Sequence, residues 1–124
     1  MKFIITLLCL LSPLYSLAES PASKEGTIEA IGDEFGNLET SITQADLDSL
    51  ALVVGDNFTL TFGKTTVSVH LGKTYGDVEN GEWISFVNWE KKLRLARNLA
   101  NAAETLNAKV GDAFSIKKIL SSPE

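Results

Sequence analysis

FTLTFGKTTVSVHL, the segment that runs from Phe58 to Leu71, has the most regular pattern in the chain. Its first five residues alternate strictly between apolar and polar, as expected for a strand that buries one face. Gly63-Lys64 then provides a two-residue turn, after which apolar residues recur at every second position. Three of these share one face: Val67, Val69 and Leu71. The segment therefore predicts a β-hairpin.

Shorter stretches with strand patterns lie on both sides of this hairpin. They cover residues 27–31, 38–42, 82–88, 93–97 and 114–119. Helical patterning is convincing only at residues 98–107, where Asn101 precedes Glu104 by three positions, as in a capping box. Residues 44–52, with Thr43 as the cap, fit one further helical turn. Six or seven short strands with one short helix predict an all-β fold, either a small β-barrel or a sandwich. An open α+β sheet is the weaker alternative.

Two turns share one sequence pattern. VGDNFTL at residues 54–60 matches VGDAFSI at residues 110–116. Such a repeat is expected where two strands enter one closed sheet at similar corners. A simpler interpretation also exists, because Gly-Asp is common in turns of every kind.

The first 18 residues are typical of a secretory signal peptide. A basic start at Lys2 leads into a mostly apolar run over residues 3–11, and Ser16-Leu17-Ala18 supplies the small residues that signal peptidase reads. The run is too short to span a membrane as a helix. We therefore predict cleavage after Ala18 and a secreted or periplasmic protein.

The chain that would remain after cleavage has the size of one domain. A disordered leader at residues 19–25 and a tail at 121–124 would flank a single domain over residues 26–120. The net charge of −5 becomes −6 without the signal peptide and its lysine, which disfavours nucleic acid and anionic membranes as partners. The sole cysteine, Cys9, lies in the signal peptide, and His70 is the sole histidine. The composition therefore predicts neither a metal site nor a cofactor.

Two residues near predicted turns suggest a binding surface. Asn37 follows the turn Phe35-Gly36, and its amide both donates and accepts hydrogen bonds, as the edge of adenine does. The alternative is an asparagine that bonds to its own backbone. Arg97 ends a strand on its apolar side, where it would meet a carboxylate or an aromatic ring unless its head reaches water. The sequence has no nucleophile elbow, phosphate-binding glycine loop or calcium loop.

Several segments follow one another in an order that is typical of a known family. GTIEAI at residues 26–31 is followed by DEFGNLETSI at residues 33–42. Asn88, LRLARNLANAA at residues 93–103 and VGD at residues 110–112 come next, at matching spacing. Over almost the whole predicted domain, the chain resembles the C-terminal domain of the S-adenosylmethionine hydroxide adenosyltransferases. These are relatives of the fluorinating and chlorinating enzymes that act on the same substrate.

The resemblance implies a partly open β-barrel that holds the adenine and methionine ends of the ligand at a trimer interface. Asn37 matches the family's adenine-contacting asparagine, while Arg97 and Leu99 match positions whose main chain lines the adenine edge. Two residues depart from the family pattern. Trp89 stands where the family usually has a serine that holds the amino-acid end, and Lys91 replaces a glycine.

We therefore expect an exported β-barrel module that binds an adenosyl-type or other flat heteroaromatic ligand, such as S-adenosylmethionine or adenosine. The expected ligand-binding residues are Asn37, Arg97, Leu99 and, by stacking, Trp89. No catalytic residue is expected, because the family's catalytic Asp belongs to an N-terminal domain that this sequence does not match. The resemblance implies a homotrimer or a separate catalytic-domain protein as partner.

Two other functions stay open. One is a protein-interaction or structural module of the periplasm, anchored on a partner by Trp83 or Trp89. The other is a component of an adenosine-forming S-adenosylmethionine hydrolase that needs a separate catalytic domain.

Overall fold

The computed structural model describes residues 22–120, which form seven strands, two short α-helices and a 3₁₀ turn. The strands are β1 (Ser23–Ile31), β2 (Leu38–Thr43), β3 (Asn57–Phe62), β4 (Thr65–Leu71), β5 (Trp83–Val87), β6 (Lys92–Arg97) and β7 (Ala113–Lys118). The helices are α1 (Gln44–Ser49) and α2 (Ala102–Leu106), and the 3₁₀ turn covers Tyr75–Asp77.

Hydrogen bonds join the strands into a closed barrel in the order β1-β2-β6-β5-β4-β3-β7. Neighbouring strands are antiparallel except β4 and β5, which are parallel and pair only at His70–Ile84 and Leu71–Ser85. The prediction of a small all-β barrel is confirmed. The barrel is closed rather than partly open, because β7 pairs with β1 on one edge and with β3 on the other. Closure gives every strand a neighbour on both sides, although β4 and β5 pair over only two residues each.

Both predicted helical stretches form a helix, but each helix is shorter than expected. Before α1, the Thr43 hydroxyl accepts the Asp46 N–H at 3.1 Å, while the Asp46 carboxylate accepts the Thr43 N–H at 2.9 Å. Asn101 caps α2 by accepting the N–H of Glu104 at 2.9 Å. The residues before Asn101 form a turn instead of a helix, because Leu99 has a φ of 58°. The described chain thus has two short α-helices, where one short helix and one further helical turn were expected.

Strand β1 begins earlier than predicted. Residues 19–25 were expected to be a disordered leader, yet Ser23 pairs with Lys117 and Glu25 pairs with Ser115 on β7. The backbone groups along this edge of β7 would otherwise lack a partner, so these residues complete the ring. The predicted signal peptide, the first part of the leader and the predicted tail lie outside the described residues.

Apolar side chains from alternate strand positions fill the barrel. They include Ile28, Leu38, Ile42, Phe58, Leu60, Val69, Leu93, Leu95, Phe114 and Ile116, with Leu47 of α1 and Leu106 of α2 in the same cluster. Burying each large side chain stabilises the fold by roughly 1.5–3 kcal/mol. Two buried hydroxyl groups are satisfied by backbone carbonyls, Thr40 by Leu93 at 2.8 Å and Ser85 by His70 at 3.0 Å.

The two turns with similar sequences also have the same structure. The glycine N–H of each donates to a facing carbonyl at 2.8 Å, Gly55 to Leu71 and Gly111 to Ile28. The N–H of that facing residue donates back at 2.9 Å to the carbonyl of the aspartate after the glycine. The hairpin predicted from the first of these segments is confirmed, with β3 and β4 paired along their length. The repeat therefore marks two equivalent corners at which strands enter the closed sheet.

The loop of residues 72–82 packs on the outside of the barrel over β5 and β6. Ile84 and Ala96 pair across these two strands and are fully buried, although they are not part of the interior cluster. Gly72 permits the close packing, because a Cβ there would lie 2.7 Å from the Asp77 carboxylate. Between residues 22 and 120, no helix has the length and apolar character needed to cross a membrane.

Candidate functional site

A cavity of about 270 Å³ lies where β6 ends, between loop 72–82 and the turn that precedes β2. Its lining is mostly apolar and consists of Phe35, Asn37, Tyr75, Arg97, Asn98, Leu99 and Ala100. Three of the four predicted ligand-binding residues therefore meet at one place. Asn37 comes from the turn before β2, whereas Arg97 and Leu99 come from the end of β6 and the turn after it.

The turn before β2 places Asn37 at the cavity through two backbone hydrogen bonds. The N–H of Gly32 donates to the Asn37 carbonyl at 2.9 Å, and the N–H of Gly36 donates to the Gly32 carbonyl at 3.0 Å. Gly36 has a φ of 68°, a conformation that suits glycine. Its carbonyl accepts the N–H of Ala103 at 3.0 Å, which joins this turn to the first turn of α2.

The side-chain amide of Asn37 is only half satisfied. Its Nδ2 donates to the Tyr75 hydroxyl at 2.5 Å, and its Oδ1 is buried without any hydrogen-bond partner. Asn37 does not use its side chain to close its own turn, which was the alternative predicted for it. A buried polar atom without a partner costs roughly 1–3 kcal/mol, so this oxygen is a place where a ligand donor would be stabilising.

Four residues of the cavity lining were not predicted to bind a ligand, and Tyr75 is the one of them that contacts Asn37; the others are Phe35, Asn98 and Ala100. Tyr75 lies in the 3₁₀ turn of loop 72–82, and its ring packs edge-on against Phe86, with 5.2 Å between centroids. The guanidinium of Arg94 lies 5.6 Å from the centroid of the same Phe86 ring. A tyrosine within a long polar loop gave no periodic signal that would have linked it to Asn37.

Arg97 is held by contacts within the protein. Its guanidinium lies 5.8 Å from the ring centroid of Trp83, as expected for stacking on an aromatic ring. Nε donates to the Gly81 carbonyl and Nη1 to the Thr105 hydroxyl, each at 2.9 Å. The neighbouring Asn98 donates to the Val78 carbonyl at 2.9 Å and so ties loop 72–82 to the end of β6. Two of the five N–H donors of the Arg97 head are thus used within the protein.

Phe35 and Leu99 form an exposed apolar rim around the cavity. Their side chains are 64% and 81% exposed, although apolar groups of this size are usually buried. Leu99 also has a positive φ of 58°, a conformation that is unfavourable for a side chain with a Cβ. Exposed apolar groups beside a cavity are typical of a binding surface.

Trp89 lies away from this cavity. It is 86% exposed in the turn between β5 and β6, at the opposite end of these strands from Arg97. The two ends of β5 are four residue steps apart, which corresponds to about 13 Å. Asn88 fixes this turn by accepting the N–H groups of Glu90 and Lys92 at 2.8 and 3.1 Å.

The cavity offers little acid–base chemistry. Its lining contains no carboxylate and no histidine, and within residues 22–120 no three metal-ligating side chains are grouped. His70 lies elsewhere, with its Nδ1 2.8 Å from Asn57 Oδ1. The nearby Asp77 carboxylate accepts the N–H groups of Lys73 and Thr74, whose hydrogen bonds lower its pKa.

Comparison with known protein families and sequences points to one group of proteins. The family model of the SAM hydroxide adenosyltransferase C-terminal domain matches residues 26–115. A fluorinase from Actinopolyspora mzabensis is 34% identical over 95 residues, which cover 75% of this chain and 32% of the fluorinase. A fluorinase from Nocardia brasiliensis is 31% identical over 94 residues, which cover 74% and 31%.

Solved structures show the same fold. An uncharacterized conserved protein from Thermotoga maritima matches with a TM-score of 0.70 and 30% identity, over 76% of this chain and 35% of that one. A conserved hypothetical protein from Thermus thermophilus has a TM-score of 0.50 and 24% identity, over 82% and 36%, and is similar in fold. The chain spans about a third of the length of these relatives.

Proposed function

Because the chain belongs to the SAM hydroxide adenosyltransferase family through its C-terminal domain, we propose that it is an exported module that binds an adenosyl-type ligand. In this proposal the cavity holds the flat heteroaromatic base, and the chain is not an enzyme by itself. Adenosine and S-adenosylmethionine are the ligands to be tested.

The unpartnered oxygen of Asn37 carries this proposal. The amino group of adenine would donate to Oδ1, which has no partner in the protein. The apolar rim of Phe35 and Leu99 would cover the faces of a heteroaromatic ring. A polar group that fixes orientation within apolar walls is the usual composition of a small-molecule site.

The absence of acids and histidine from the cavity lining supports a binding role over catalysis. The exposed rim would be covered by a second protein surface, either another copy of this chain in a trimer or a separate catalytic-domain protein. Hydrolysis of S-adenosylmethionine to adenosine would then require that catalytic domain. We expect no adenosine to be released when this chain alone is incubated with S-adenosylmethionine.

Calorimetry tests the ligand directly. We expect adenosine and S-adenosylmethionine to bind, and purine riboside, which lacks the amino group, to bind roughly tenfold more weakly. Absence of heat and of thermal shift with both adenosyl compounds at millimolar concentration would refute the proposal.

A matched pair of variants separates the site from general effects on the fold. Asn37→Ala removes the amide in the cavity, and Asn57→Ala removes an amide that likewise contacts one ring side chain, His70, outside it. We expect only Asn37→Ala to weaken adenosine binding. Equal loss in both variants would count against a specific role for Asn37.

A second candidate function is protein interaction through Trp89. This indole is almost fully exposed at the end of the barrel away from the cavity, whereas Trp83 packs against the core and under Arg97. Exposed tryptophan is a frequent anchor in protein interfaces. Light scattering tests self-association: we expect Trp89→Ala to lower the measured mass, and a monomer unchanged by this substitution would oppose it.

A further inference from the structure

We infer that Tyr75 is a gate residue, whose hydroxyl occupies the Asn37 amide and must move before a ligand can use it. This inference rests on the proposed function, since it concerns access to the same cavity. Tyr75 was not among the predicted ligand-binding residues, and as a gate it would lower the affinity of the cavity for adenosine.

One of the two groups of the Asn37 amide is taken up by the Tyr75 hydroxyl. Nδ2 is bonded to the Tyr75 hydroxyl, and Oδ1 is buried although it has no partner. A 180° rotation of the amide would exchange the two groups without exposing either. Consequently, one of the two groups of the amide is always taken up by the Tyr75 hydroxyl while Tyr75 stays in place.

Tyr75 is held in this position by its ring and by the backbone of its turn. The ring meets Phe86 almost perpendicularly, at 88°, an arrangement that is favourable for aromatic pairs. The turn is fixed by the Asp77 carboxylate, which accepts two N–H groups, at 2.7 Å from Lys73 and 3.1 Å from Thr74. The contact between Tyr75 and Asn37 is therefore held in a fixed geometry on the outside of the barrel.

The gate lies on a loop and not on a strand. Two hydrogen bonds hold the C-terminal half of loop 72–82. The Asn98 side chain donates to the Val78 carbonyl, and the Gly81 N–H donates to the Asn98 carbonyl at 2.6 Å. The 3₁₀ turn that carries Tyr75 is bounded by extended residues, Thr74 and Val78. The Tyr75 side chain can swing out without breaking a strand pair of the barrel.

A ligand that pairs with both groups of the Asn37 amide, as the edge of adenine does, must therefore replace the bond between Tyr75 and Asn37 Nδ2. A variant without the hydroxyl no longer loses this bond on binding, so it should bind adenosine more tightly. One neutral hydrogen bond corresponds to an affinity gain of about 3- to 10-fold. If Tyr75 instead oriented Asn37 for the ligand, the same variant would bind more weakly.

The experiment compares wild type, Tyr75→Phe and Phe86→Leu by calorimetry with adenosine, and by NMR of the Asn37 side-chain amide without ligand. Tyr75→Phe keeps the ring, and Phe86→Leu removes the edge-to-face contact while leaving the hydroxyl. We expect the amide protons of Asn37 to shift and exchange faster in Tyr75→Phe. Both variants should bind adenosine more tightly than the wild type.

The outcomes separate the gate from the proposed function. Weaker or unchanged adenosine binding in Tyr75→Phe, with the wild type binding, would overturn the gate and leave the proposed function in place. An Asn37 amide that is unaffected by Tyr75→Phe would also overturn the gate, independently of any ligand. No binding by wild type or variants would overturn the proposed function, and the gate with it.

Discussion

Replacing Gly36 by alanine should disturb the turn and the helix that together build one side of the cavity. Gly36 has a φ of 68°, and an added Cβ would lie within 2.7 Å of three atoms of the Asn101 amide. Backbone strain at such a φ costs about 1–2 kcal/mol. Alanine also lowers the conformational entropy of the unfolded chain, which offsets about 0.5 kcal/mol of this cost. Asn101 would have to turn away and leave the Glu104 N–H, and losing such a cap costs about 1 kcal/mol.

The expected total is a loss of about 1.5–2.5 kcal/mol in the free energy of unfolding. For a domain of this size this corresponds to a decrease in Tm of about 6–20 °C. Denaturant unfolding followed by circular dichroism measures the loss, and Gly63→Ala is the matched control. Gly63 has a φ of 61°, and a Cβ added there would meet no atom within 4 Å, so its substitution costs the backbone strain alone.

A double-mutant cycle with Asn101→Ala isolates the clash. In the Asn101→Ala background the atoms nearest to the new Cβ are absent, so Gly36→Ala should cost about 1 kcal/mol, as at Gly63. The reasoning is refuted if Gly36→Ala and Gly63→Ala cost the same in the wild-type background. It is also refuted if the cycle shows no coupling between positions 36 and 101.

Two further predictions concern other turns. Lys91 has a φ of 66° and is exposed, so Lys91→Gly should raise the free energy of unfolding by about 0.5 kcal/mol, while Glu90→Gly in the same turn should lower it. The pKa of the Asp77 carboxyl is lowered below its ordinary value of 3.8, chiefly by the hydrogen bond from the Lys73 N–H and then by that from Thr74. The ionised Asp77 carboxylate therefore stabilises loop 72–82 above pH 3.8, and this stabilisation is lost as the pH falls through the lower pKa of the folded state. The Lys73 amide proton should titrate in NMR with a midpoint below 3.8, and Asp77→Asn should abolish this transition; a midpoint above 3.8 would contradict the assignment.

Local patterns predicted the elements of the fold well. Alternation at residues 58–71 identified the β3–β4 hairpin, because a strand with one buried face repeats every two residues. Thr43 and Asn101 marked the starts of both helices through their capping side chains. The predicted helices were too long, and for the second the reason is the left-handed conformation of Leu99, which depends on how the chain turns out of β6.

The candidate site was predicted only in part. Resemblance to a family selected Asn37, Arg97 and Leu99, and the structure places all three at one cavity. It did not identify Tyr75, whose contact with Asn37 joins segments 38 residues apart. Trp89 was assigned to the same site, yet the strand register places it at the other end of β5 and β6.

The sequence by itself determined which segments are strands, which residues begin the helices and where glycine must turn the chain. These properties depend on neighbours within a few residues, so a linear pattern records them. Closure of the barrel, the burial of Asn37 Oδ1 and the contact with Tyr75 were decided only by the tertiary structure. They depend on pairings such as Ser23 with Lys117, whose partners are brought together only when the whole ring closes.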